Sequence, residues 1–156
     1  MAFFLIKGTF HVKGYSPDGD SIRFRARNPD NWKKLSGPAA ELNARGHAQL
    51  RVEGVDALET HYQGYHQPMK LARAACRYLL SYLGIDEVVW DESQSRVIKA
   101  QDETEGYILA RSTEANRRPV AFVFAGGIEH RDGSEVILDE SILKRGLNYG
   151  LIAQGL

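Results

Sequence analysis

Apolar and polar positions alternate with a two-residue period over residues 21–27, where Ile22, Phe24 and Ala26 interleave with Arg23, Arg25 and Arg27. That period predicts a strand with one buried face. Upstream, residues 4–15 are rich in β-branched and aromatic side chains and run into Ser16-Pro17-Asp18-Gly19, which predicts a strand entering a tight turn. The two strands should form a hairpin with Asp18 and Asp20 at its tip. A third strand is expected over residues 49–55, with Leu50 and Val52 on one face and Arg51, Glu53 and Val55 on the other. The period then lengthens: Ala72, Cys76, Leu79, Leu80 and Leu83 recur at helical spacing, Pro68 suits a first turn and Gly84 an end, so a helix is predicted over 67–83. Strand-like runs return at 87–90, 96–99, 106–110 and 120–124, Asp139 is placed to cap a helix through Arg145 that Gly146 ends, and 149–154 should make another helical turn. Residues 28–46, with Asn-Pro-Asp-Asn and Ser-Gly-Pro, read as an inserted loop. Several short strands around one good helix predict a small α+β barrel.

Composition narrows the picture. At 156 residues the chain has length for one domain with a real core, spanning 1–156, and not for two. Cys76 is the only cysteine, which excludes an intrachain disulfide and a cysteine-rich zinc site. The apolar run Phe3-Phe4-Leu5-Ile6 is too short for a signal-peptide core or a membrane span, so the chain as written is expected to stay in the cytoplasm and to have no membrane partner. The formal net charge is zero, which removes any bulk argument for nucleic-acid binding, yet Arg23, Arg25, Arg27, Arg117 and Arg118 are concentrated enough to form a basic face.

Candidate chemistry lies in three places. Asp18-Gly19-Asp20-Ser21 puts two carboxylates around a glycine; Arg51 through Glu59 spaces Arg51, Asp56 and Glu59 at i, i+5 and i+8; Arg117-Arg118-Pro119 precedes the apolar run 120–124. Singly, each is what an ordinary turn or strand end carries. Together they supply oxygen ligands for a hard cation, a base for a water, and guanidiniums for a phosphate.

In order and internal spacing, these segments resemble the staphylococcal-type thermonuclease family, and Leu143-Lys144-Arg145-Gly146-Leu147 resembles its final-helix signature. The resemblance covers most of the chain from about residue 10. It implies a five-stranded OB-fold barrel with about three packed helices, and a Ca²⁺-dependent endonuclease acting on DNA and RNA to leave a 3′-phosphate and a 5′-hydroxyl. It further implies that Asp20 and Asp56, with the backbone carbonyl of Ala57, are metal ligands, that Glu59 orients or deprotonates the attacking water, and that Arg51 and Arg118 bind the scissile phosphate.

The chain departs from the family pattern at Leu58, where proline is usual, at Ala115 and Asn116, where lysine and tyrosine are usual, and at Ile152, near an expected aromatic for which Tyr149 is a substitute. The alternative reading is a catalytically weak or inactive OB-fold module that binds nucleic acid or protein. His61 and His66 have no third ligand in view and read as loop residues, Cys76 as core, and Trp32 and Trp90 as packing residues.

Overall fold

The computed structural model describes residues 2–17, 21–53 and 69–156. Eight strands are described: β1 (Ala2–His11), β2 (Ser21–Ala26), β3 (His47–Val52), β4 (Asp86–Trp90), β5 (Val97–Gln101), β6 (Thr104–Thr113), β7 (Pro119–Ala125) and β8 (Glu135–Ile137). Helices follow at α1 (Met69–Leu83), α2 (Glu140–Leu143) and α3 (Leu147–Ala153), and a 3₁₀ helix at Pro29–Lys34.

Strand order β2-β3-β7-β6-β1 closes because β1 also pairs with β2. The result is a closed five-stranded barrel with a few short helices, an α+β architecture of the OB-fold type. All barrel pairings are antiparallel except β3 with β7, which run parallel with Arg51 opposite Val120. Along β1, Gly8 stands opposite both Ala26 and Gly106. A Cβ on Gly8 would meet the Arg25 carbonyl and the Phe24 ring, and one on Gly106 would meet the Phe10 ring and the Phe124 carbonyl. These glycines are where the backbones approach closely enough for Phe10 and Phe24 to fill the barrel.

The barrel interior contains Ile6, Phe10, Ile22, Phe24, Leu50, Val52, Ile108 and Val123. A second apolar cluster of Leu5, Tyr107, Leu109, Phe124 and Val136 lies on the outer side of β6. Residues Gly106–Ala110 are consequently buried on both faces, and their unbroken apolar run reflects a covered strand rather than alternation. Its cover is β8 and the preceding loop, anchored by Gly133 N–H to the Leu5 carbonyl (2.7 Å), Leu5 N–H to the Ser134 carbonyl (2.9 Å) and Lys7 N–H to Asp132 Oδ1 (2.8 Å).

Helix α1 buries Ala75, Cys76, Leu79, Leu80 and Leu83. It ends in a Schellman motif: Gly84 takes φ +72°, its N–H reaches the Ser81 carbonyl, and the Ile85 N–H reaches the Leu80 carbonyl. The described helix begins at Met69, because residues 67 and 68 of the expected helix fall outside the described residues. Asp139 caps α2 by accepting from Ile142 N–H at 2.8 Å, as the sequence predicts. Gly146 opens α3 as its N-cap, with φ −86°, and the chain joins α2 to α3 across it.

Within 28–46, Asn28 caps the 3₁₀ helix through its side chain, and Trp32 is buried edge-on against Phe24 at 6.1 Å between ring centroids. Trp90 packs half-buried at the core's edge. Ser36 bridges to Ser112 and Leu42 to Ala48, so the segment lies along the barrel wall.

Candidate functional site

Arg51 is the penultimate residue of β3, on the outward face opposite Ser21 of β2. Its register partner Val120 lies two residues after Arg118. The start of β2, the end of β3 and the start of β7 therefore meet at one end of the barrel.

Arg118 reaches that end through the β6–β7 turn. Glu114 N–H bonds the Arg118 carbonyl (2.9 Å) and Arg117 N–H bonds the Glu114 carbonyl (2.8 Å), with Arg117 at φ +63°. This is a three-residue hairpin loop whose last position takes the left-handed conformation glycine usually supplies. Arg117 stays there with its Nε donating to the Ala39 carbonyl at 2.9 Å.

Glu114 joins the two arginines. Its Oε2 lies 3.3 Å from Arg118 Nη2 and 3.8 Å from Arg51 Nη1, and its Oε1 accepts from Arg118 Nε (3.3 Å) and Arg118 N–H (3.1 Å). The arginine side chains are only 34% and 31% exposed, and Glu114 16%. Hydrogen bonding from the Arg118 guanidinium, foremost among the causes, holds the Glu114 carboxyl below its ordinary pKa. One planar oxyanion already touches both guanidiniums. A phosphate presents the same fork of oxygens, so the geometry fits bidentate phosphate recognition.

Of the residues the sequence assigns to this site, Arg51 and Arg118 are brought together; Asp20, Asp56, Ala57 and Glu59 lie outside the described residues, as do Asp18, Leu58, His61 and His66. Among the described residues no group of three His, Cys, Asp or Glu side chains is arranged to hold a metal. Ala115 and Asn116 sit in the β6–β7 turn beside Arg118, and Tyr149 and Ile152 are exposed on α3.

Two features escaped sequence reasoning. Asn148, 2% exposed on α3, accepts from Val123 N–H through Oδ1 (2.8 Å) and donates Nδ2 to the carbonyls of Glu53 (2.7 Å) and Ala121 (3.0 Å). It ties the end of β3 to β7 beside Arg51. The only signal was an amide in an otherwise apolar helical turn.

The second is a polar cluster on the outer sheet face. The His11 and His47 rings stack with centroids 4.0 Å apart, His11 Nε2 meets Thr9 Oγ1 (2.7 Å), His47 Nδ1 meets Tyr15 Oη (2.9 Å), and Asn43 Nδ2 donates to Tyr15 Oη (2.6 Å). Both rings are buried. Desolvation pushes the His11 pKa down and, reinforced by His11, Arg45, Arg25 and Arg23, takes His47 from 6.5 to about 4. Asp102 and Glu103 oppose the shift at His11.

The consequence for stability has a definite sign. A histidine whose folded pKa lies below its unfolded value resists protonation only when folded, so its stabilisation is complete above about pH 6.5 and is lost as pH falls toward 4. Lowering the pH from about 7.5 to about 5 should cost about 1.5 kcal/mol, allowing for solvent at the ring edges. Urea titrations at the two pH values check this: His47→Gln should flatten the difference, and an equal slope in both proteins would reject the assignment.

Comparison of the chain with protein-family models, with curated protein sequences and with solved structures gives no match.

Proposed function

We propose that this chain is a Ca²⁺-dependent, sugar-nonspecific endonuclease hydrolysing phosphodiester bonds of DNA and RNA. The observation that carries the reading is the convergence of Arg51 and Arg118 on one carboxylate, at the barrel end where β2 starts and β3 finishes. The segments bearing Asp20 and Asp56–Glu59 adjoin those same strand ends in the sequence.

In this reading the arginines grip the nonbridging oxygens of the scissile phosphate, where charge grows during in-line attack. Glu114 holds the two guanidiniums in position until phosphate arrives. Glu59 orients the water and takes its proton; the water oxygen bonds to phosphorus, the bond to the 5′ oxygen breaks, and that oxygen leaves as a hydroxyl after gaining a proton. The donor set of Asp20, Asp56 and the Ala57 carbonyl is all oxygen, which suits Ca²⁺. The ion, when bound, supplies positive charge to the phosphate.

One observation favours a second reading. Glu114 already engages both arginines, as it would in an OB-fold module that binds nucleic acid or protein without turnover. Incubating the full chain with single-stranded DNA and with RNA in Ca²⁺, Mg²⁺ or chelator separates the two. Cleavage of both polymers that requires Ca²⁺ is the expected result, accompanied by heat on calorimetric titration with Ca²⁺. Cleavage that survives chelation, or Ca²⁺ binding with no cleavage, would sink the nuclease reading.

A further inference from the structure

Hydrolysis of a phosphodiester turns a monoanion into a monoester that, with a second pKa of about 6, carries close to two negative charges above about pH 7. A site holding only a pair of guanidiniums attracts that product more strongly than the substrate, because Coulomb attraction scales with the charge of the ligand. Arg51 and Arg118 are not a bare pair. Glu114 Oε2 lies 3.8 Å from one and 3.3 Å from the other, so the three groups together carry a single positive charge.

The carboxylate is fixed there by more than its ion pairs. Glu114 and Arg118 close the β6–β7 loop on each other, through Glu114 N–H to the Arg118 carbonyl (2.9 Å) and Arg118 N–H to Glu114 Oε1 (3.1 Å). The second of these bonds ties the side chain to backbone and does not depend on the guanidinium. The carboxylate therefore stays beside the arginines when their forks take up phosphate oxygens. Bonded to Arg118 it is held below its ordinary pKa, so it is ionised at neutral pH. The rest of the loop does not restore the lost positive charge: Ala115 and Asn116 are neutral, and Arg117 directs its Nε to the Ala39 carbonyl at 2.9 Å.

We propose that Glu114 is a specificity-determining residue of the arginine site: its fixed negative charge offsets one guanidinium, so that the pair accepts a phosphodiester monoanion in preference to a phosphomonoester dianion. The identity of these two ligands as substrate and product rests on the phosphodiesterase reading; discrimination between the two charge states does not. Glutamine at this position keeps the length of the side chain and an acceptor for the Arg118 N–H, and removes the charge. A unit charge about 5 Å from the ligand, screened as in water, changes the affinity of a monoanion about fourfold and that of a dianion about sixteenfold. A change of shape or packing, common to both ligands, does not produce that difference.

The test is titration of the isotopically labelled full chain in chelator, at low salt and about pH 7, following the Nε–H resonances of Arg51 and Arg118. The probes are thymidine 3′-monophosphate, a dianion, and the dinucleotide in which one phosphodiester joins two thymidines, a monoanion. E114Q should bind the monophosphate about sixteenfold and the dinucleotide about fourfold more tightly than wild type. E114D, which keeps the charge, should keep the wild-type ratio of the two affinities. Equal gains for both ligands in E114Q would overturn the inference, as would a ratio shifted as far in E114D, or weaker binding of both ligands in E114Q, which is the result expected if the carboxylate only holds the arginines in place. A wild type and E114Q that differ in this way but never cleave with Ca²⁺ would reject the nuclease reading and leave the role of Glu114 standing; Ca²⁺-dependent cleavage with equal gains in E114Q would do the reverse.

Discussion

Replacing Arg118 by alanine is expected to slow Ca²⁺-dependent cleavage of single-stranded DNA by about 10²–10³-fold, the range found when one donor to a developing oxyanion is removed. Arg118 serves two partners in sequence: it is bonded to Glu114 through Nε and Nη2, and in the proposed reaction its planar fork turns to the phosphate. Alanine removes both roles, but the fold should persist, because the side chain is partly exposed and surface pairs of this kind stabilise by at most about 1 kcal/mol. Arg118→Lys should recover little, since a point charge does not reproduce two parallel N–H bonds. Arg51→Ala should behave similarly. Initial rates with unchanged circular dichroism check the expectation, and Arg118→Ala cleaving within threefold of wild type would remove this arginine from the site.

How far the chain disclosed its structure depends on which physical signal each part left. Ile22, Phe24 and Ala26 face the barrel interior while Arg23 and Arg25 face outward, so strict alternation was a sufficient guide for β2. It was no guide for β6, where cover on both faces erases the period. Nor could it find β8, three residues long with only Val136 buried. The 3₁₀ helix in 28–46 gave a cap signal at Asn28 and an apolar anchor at Trp32, yet Pro and Asn density made the whole stretch resemble a loop. For the candidate site, pairing Arg51 with Arg118 came from the ordered resemblance, because residues so far apart show no local pattern. Glu114 left no trace: its role arises from a left-handed turn at Arg117, a conformation the sequence Ala-Asn-Arg does not advertise.

The largest stability effect is expected from Asn148→Leu, at about 4 kcal/mol. The residue is enclosed between α3 and the barrel, and its amide uses both ends: Oδ1 accepts from Val123 N–H, and Nδ2 divides its donors between the Glu53 and Ala121 carbonyls. Leucine matches the amide's size and leaves the buried Val123 N–H and the part-buried Glu53 carbonyl without that partner, each costing about 1–3 kcal/mol with the carbonyl at the low end; the Ala121 carbonyl, which also accepts from Glu53 N–H at 2.8 Å, loses less. Burying an isobutyl group offsets only part of this, because the site is lined by those polar atoms rather than by methyls. Asn148→Asp should cost at least as much, since it keeps the bond from Val123 but buries an unpaired carboxylate against the Glu53 and Ala121 carbonyls. A urea midpoint shift read with an unchanged m-value measures the effect, and a cost below about 1 kcal/mol for leucine would show that the three bonds do not hold β3 to β7. Because Glu53 directly precedes the segment containing Asp56 and Glu59, a destabilised Asn148→Leu protein should also lose cleavage at temperatures where its barrel is still folded, whereas Arg118→Ala should lose cleavage at every temperature.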